Sequence, residues 1–289
     1  MLIKTSSEKG HFIHSFYKKS KNEDKPIIDN LRRRNEYNIV YKKCTTADDM
    51  NMHNTISNLK NFELASLTKP NIEEMKKSLI NDGYVLIPVT KKEQTRFYNL
   101  SKQIFENLHP GVLQTKPDEN KLPQFRIVDI DDSFKVAQQV NNLVENLVGY
   151  KIPLNANSHF QLNTIASTMH VDSKYNFIFS FTTSPKSAKM PRTQYLPIKH
   201  NSEFEPSFMK HPHTNEMVHY GYDLKEDSEL DISSNLEEVP ENNAILFLGD
   251  NKFSNPDVQK NLEDKFLHHQ APSGDSPRIN MTIRMREQI

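Results

Sequence analysis

The stretch "RINMTIR" at 278–284 alternates polar and apolar residues without a break. Side chains on a strand point to opposite faces in turn. The spacing therefore predicts a β-strand with Arg278, Asn280, Thr282 and Arg284 on one face and Ile279, Met281 and Ile283 on the other. Packing accounts for the apolar face. A face with two arginines is costly to bury unless an anion meets it. Just upstream, "FLHHQAP" at 266–272 sets His268 and His269 beside that strand.

Working outward, strand-like runs appear at 159–166, 168–172, 175–183, 244–249 and 278–285. In "YNFIFSFTT", Phe177, Phe179 and Phe181 alternate with Ile178, Ser180 and Thr182, the mark of a half-buried strand. The first half reads differently. "YVLIPV" at 84–89 is a buried strand after the "NDG" turn. Thr90 and Glu93 then form a capping box, and a helix runs to about 108 with Phe97, Leu100, Ile104 and Leu108 as its apolar stripe. A second helix covers about 133–148, with Phe134, Ala137, Val140, Val144 and Leu147 on one side. Helices first and strands later predict an α+β chain, a double-sheet β-core flanked by N-terminal helices.

The organisation expected is a polar, basic N-terminal segment over 1–60 and one domain over 61–289, with a long polar insertion at about 185–243. Residues 1–45 carry 11 Lys/Arg against 5 Asp/Glu, including "LRRR" at 31–34, which reads as a solvated, partly disordered arm. The whole chain balances 37 basic against 37 acidic residues, which leaves no global electrostatic footprint for nucleic acid. The single cysteine, Cys44, rules out an intrachain disulfide. No apolar run is long enough to span a membrane, and the N-terminus lacks the apolar region of a secretory signal. The expectation is a soluble intracellular protein, cytoplasmic in the first instance. Glycine-rich phosphate loops are absent.

"TMHVDSKYNF" carries the chemistry. His170 and Asp172 are two apart on a strand and share a face. Imidazole plus carboxylate is two thirds of a two-histidine, one-carboxylate metal site, which leaves coordination positions open for Fe(II) oxygen chemistry. The third ligand would be a distant histidine, and His268 and His269 are the candidates. Other histidines have plainer readings: His211, His213 and His219 as loop residues rather than a zinc site, and His159 as packing. Tyr195, Tyr220 and Tyr222 either line a substrate mouth or anchor loops.

The order HxD, strand, late histidine, arginine-bearing strand resembles the Fe(II)/2-oxoglutarate-dependent dioxygenase superfamily over roughly residues 160–286. The last strand is similar to the R-x-N-x-T-x-R pattern of its AlkB-type branch, and "HQAP" matches that branch's H-x-x-P, which favours His269 as the distal ligand. The resemblance implies a double-stranded β-helix (jelly roll), with Fe(II) held by His170, Asp172 and His269. It implies 2-oxoglutarate as cosubstrate and O2 as oxidant. Arg278 would meet the far carboxylate, with Arg284 at the near-carboxylate end. Asn280, Thr282 and Asn163 would complete cosubstrate binding, although Ile165 stands where that branch has a tyrosine. The segment 185–243 becomes a candidate lid. The expected reaction couples decarboxylation of 2-oxoglutarate to oxidation of a C–H bond in a small organic substrate, amino-acid-like molecules included. The alternatives are AlkB-type demethylation of N-alkylated bases in RNA or DNA and a non-catalytic β-sandwich binding module.

Overall fold

In a computed structural model the chain packs a layer of helices against one face of a pair of antiparallel sheets. Residues 3–4, 40–41, 47–108, 125–163, 167–183, 192–210, 216–271 and 278–287 are described. Cys44, His211, His213 and the "LRRR" run lie outside them, as do the side chains of Leu108, Asn163 and Tyr220.

A short antiparallel pair, β1 (Ile3–Lys4) and β2 (Val40–Tyr41), precedes the helices. These are α1 (Ala47–Lys60), α2 (Ile72–Asp82), α3 (Lys91–Leu108) and α4 (Lys135–Val148). Their ends follow from local chemistry. Asn71 caps α2 by accepting from Glu74 N. Gly83 ends it with φ 77°, a left-handed conformation that glycine adopts at no steric cost. The capping box of α3 is formed in both directions, Glu93 N to Thr90 Oγ1 at 3.2 Å and Thr90 N to Glu93 Oε2 at 2.7 Å. α1 lies within the polar N-terminal segment 1–60, after the arm read over 1–45, and its Ile56 and Leu59 are buried in the main core.

Between and after the helices run β3 (Tyr84–Pro88), β4 (Phe125–Asp129), β5 (His159–Asn163), β6 (Ser167–His170), β7 (Phe177–Thr183) and β8 (Gln194–Leu196). β9 (Phe204–Lys210) and β10 (Met217–Leu224) form a separate hairpin. A short helix, α5 (Ile232–Asn235), leads to β11 (Glu237–Glu238) and β12 (Asn243–Leu248). α6 (Pro256–Leu262), β13 (His268–Ala271) and β14 (Arg278–Met285) complete the chain.

The larger sheet has the order β3-β12-β7-β14-β5-β4 and the smaller β11-β8-β13-β6. Successive strands β5, β6, β7 and β8 fall alternately in the larger and smaller sheets, as do β12, β13 and β14. The segment 185–243 is therefore not one loop. Its β8 and β11 are strands of the smaller sheet, and the hairpin lies between them.

The alternation in β14 sorts as its sequence predicts. Ile279, Met281 and Ile283 are fully buried against the helices, with Phe177, Phe179 and Phe181 of β7 beside them. Phe97 of α3 meets Phe181 at 4.8 Å between ring centroids and Phe160 at 5.5 Å. Each such buried phenylalanine stabilises by about 1.5–3 kcal/mol. The opposite faces turn toward the smaller sheet. There Ile178, Tyr195, Val239, Ile245, Phe247 and Leu267 form a second apolar cluster that spans both sheets. Tyr195 is one of its anchors, with its hydroxyl 3.0 Å from both Tyr84 Oη and Glu237 Oε2.

Candidate metal centre and anion pocket

β6 ends at His170, and the turn after it carries Asp172 back toward β13, which is paired antiparallel to β6 with His269 opposite His170. This register brings a side chain from each of three chain positions together. One ligand atom of each of His170, Asp172 and His269 lies within 4.8 Å of the others. The His170 and His269 rings are 4.3 Å apart between centroids, and His269 Nε2 is 3.8 Å from Asp172 Oδ2. His269 is buried, Asp172 half-buried and His170 exposed, so the cluster opens on one side.

The choice between adjacent histidines follows from strand alternation. His269 faces the interior, where Phe247 lies 4.7 Å from it between ring centroids. His268 points the other way. It stacks on Phe204 at 4.1 Å and meets Tyr222 and Phe266, with Nδ1 3.3 Å from Asn201 Oδ1.

Charge follows the same geometry. Burial lowers the His269 pKa to about 3, with His170 adding to the fall and Asp172 opposing it, so the imidazole is neutral and able to ligate. Burial pushes the Asp172 carboxyl upward, but Arg284 and then the surrounding histidines outweigh it and hold the group below its ordinary range. Arg284 Nη2 is 3.7 Å from Asp172 Oδ1. The same guanidinium donates from Nη1 to Asn157 O at 3.2 Å and lies 5.2 Å from the Tyr175 ring centroid. His159, read as packing, sits in this layer with Nδ1 3.4 Å from Arg284 Nη1.

Arg278 occupies the other end of the same inner face, paired through the backbone with Asn163 of β5. It is 7% exposed, and its Nε and Nη1 have no hydrogen-bond partner among the described residues. Burial alone pulls its pKa down to about 10, which leaves it charged at neutral pH. Asn280 and Thr282 lie between the two arginines and are bonded within the sheet. Asn280 Oδ1 accepts from Ser180 Oγ at 3.0 Å and Thr182 Oγ1 at 3.1 Å, and its Nδ2 donates to Thr282 Oγ1 at 2.8 Å. Their polar groups largely serve one another, so among the described residues the open donors on this face are Nε and Nη1 of Arg278 and Nε of Arg284.

No protein-family model matches the sequence, and no curated protein does. Among solved structures, a prolyl-4-hydroxylase from Pseudomonas putida matches with a TM-score of 0.41 at 8% identity, over 75% of this chain and 100% of the other. A Trichoplax adhaerens prolyl hydroxylase, solved with a hypoxia-inducible-factor peptide, matches with a TM-score of 0.41 at 9% identity, over 77% of this chain and 96% of that one. A collagen prolyl hydroxylase from Paramecium bursaria Chlorella virus-1, in a 2-oxoglutarate complex, has a TM-score of 0.35 at 9% identity, over 70% and 94% of the two chains. Similarity this low specifies neither a reaction nor a substrate.

Of the other residues singled out, Tyr222 donates to Asp250 Oδ2 at 2.6 Å and stacks on Phe266 at 4.6 Å. It is a hairpin anchor. His219 Nδ1 lies 3.8 Å from the same carboxylate. Among the described residues, no helix is long and apolar enough to cross a membrane. Sequence reasoning missed Asn157, Tyr175 and the hairpin. "MVHYGYDL", rich in aromatic and β-branched residues, was the available signal for the hairpin.

Proposed function

We propose that the chain is an Fe(II)- and 2-oxoglutarate-dependent oxygenase whose strands β5–β8 and β11–β14 form a double-stranded β-helix. One observation carries the reading. A buried Arg278, with Nε and Nη1 unpartnered among the described residues, shares an inner strand face with Arg284, which pairs with the carboxylate of a His-Asp-His cluster. A dicarboxylate chelating a metal at one end and meeting a guanidinium at the other satisfies both requirements at once.

The donor set fits the ion. Two imidazoles and one carboxylate suit Fe(II) and leave positions open. His170, Asp172 and His269 would hold it. When bound, iron and 2-oxoglutarate supply the activation of O2 that leads to succinate, CO2 and an oxidised substrate C–H bond. The chain's own groups do the rest. Arg284 orients Asp172 and keeps it ionised. Burial keeps His269 neutral. Ile178, Ile245 and Phe247 keep the inner wall apolar and water out. Arg278 fixes the far end of the cosubstrate.

The proposed substrate is a small, amino-acid-like organic molecule. Charge balance over the chain supports this over a nucleic acid. AlkB-type base demethylation rests on the strand pattern, the H-x-x-P at His269 and the basic N-terminal arm. The test is succinate release from 2-oxoglutarate by Fe(II)-loaded protein in air. Slow release that His170→Ala abolishes supports the proposal. No release above the His170→Ala background overturns it and leaves the non-catalytic reading.

A further inference from the structure

On the far side of β13 from His269, where His268 meets Asn201, lies a cleft of about 640 Å³, within the size range of small-molecule sites. Three lysines line it from three separate segments. Lys199 is on the 3-10 turn Ile198–Glu203, Lys225 follows β10, and Lys265 precedes β13. None is ion-paired with a described carboxylate, although Asp264 lines the same cleft. Three ammonium groups against one carboxylate leave a surplus of two charges on a chain whose net charge is zero.

The cleft is built on fixed backbone. Lys225 N donates to Glu203 O at 2.9 Å and Lys265 N to Leu262 O at 3.2 Å. Asn201 forms part of the floor. Its Nδ2 donates to the carbonyls of Asp264 and Phe266, each at 2.9 Å, and its Oδ1 faces His268 Nδ1. Behind it, His268 is 1% exposed and its Nε2 has no partner among the described residues. Like charges around one void repel each other, and among the described residues that line the cleft only Asp264 offsets them in part.

We infer that this cleft is a second binding site, for a phosphate-bearing small molecule of nucleotide size. Lysine ammonium groups are compact point charges that suit phosphate oxygens arrayed in three dimensions. A planar carboxylate is better matched by arginine, and no arginine lines the cleft. Neither Arg278 nor a member of the His-Asp-His cluster lines the cleft. Its floor contacts His268, and the next residue, His269, belongs to the metal cluster.

Isothermal titration with ATP and with inorganic pyrophosphate, on the full chain without iron or 2-oxoglutarate, tests this independently of any oxygenase activity. Saturable binding is expected at about 50 mM salt, weakened several-fold at about 200 mM. Lys225→Ala/Lys265→Ala should lower affinity by about ten-fold or more, since each ammonium lost removes one charge contact. Lys199→Glu should do the same by reversal, and Arg278→Met should leave binding unchanged. Thermal melts of each variant confirm folding. The inference is overturned by the absence of saturable binding, by binding that survives in folded Lys225→Ala/Lys265→Ala, or by loss of binding in Arg278→Met. Binding of a single-stranded oligonucleotide without binding of ATP or pyrophosphate would also overturn it, because the phosphate would then belong to a nucleic-acid backbone.

Discussion

Arg284 grips one oxygen of Asp172 while His269 faces the other: Arg284 Nη2 is 3.7 Å from Oδ1, and His269 Nε2 is 3.8 Å from Oδ2. The carboxylate is thereby turned toward the second histidine. Removing a group that orients a metal ligand usually lowers metal affinity by about 10–100-fold. Arg284→Met should weaken Fe(II) binding in that range, measured by anaerobic titration, with the fold retained by circular dichroism. Undiminished affinity would mean that Asp172 is positioned without Arg284.

The turn that carries Asp172 packs on Gly249. A Cβ there would come 2.3 Å from Tyr175 O and 2.4 Å from Asp172 O, both backbone atoms. Gly249→Ala must therefore move the ligand turn. A destabilisation of about 1–3 kcal/mol in urea is expected, with reduced Fe(II) affinity. A variant with wild-type melting and metal binding would show that the turn yields freely.

Arg278 is a buried charge whose Nε and Nη1 have no partner among the described residues, so its replacement should separate function from stability. Arg278→Met should bind 2-oxoglutarate far more weakly, yet the ligand-free protein should be more stable than the parent by about 1–4 kcal/mol. Denaturant unfolding of both proteins without cosubstrate measures the difference. Loss of stability would mean that the guanidinium is satisfied in the empty protein.

The pKa of His268 is lowered by burial to about 4, with His170 adding to the fall, from an ordinary 6.5. The unfolded chain therefore binds this proton more readily than the folded one. The group's contribution to stability is fully present above about pH 6.5 and is lost as pH falls toward about 4. His268→Gln should flatten the acid limb of the stability–pH profile by up to about 3 kcal/mol, and His269, unchanged in both proteins, cancels in the comparison. Identical profiles would contradict the assignment.

The strands and helices that place the site were legible where their patterns were long. β14 shows seven residues in unbroken alternation, and the Thr90–Glu93 box marks the start of α3. α1 was hidden because "DDMNMHNTIS" offers little apolar spacing, and its burial comes from contacts that only the folded helices make. β8, β11 and β13 are two to four residues long, too short for alternation to register. His170 and Asp172 were readable as a pair, whereas His268 and His269 are separated only by the face each turns, which depends on the register with β6. The Asn157–Tyr175 layer around Arg284 joins positions far apart in sequence and has no local signature.

The most direct measurement is anaerobic titration of Fe(II) into the protein with 2-oxoglutarate, following the weak visible metal-to-ligand charge-transfer band. The account predicts a band in the parent protein, no band in His170→Ala, and a band in Arg278→Met only at far higher 2-oxoglutarate. No band in the parent at any concentration, or one indifferent to both substitutions, would contradict it.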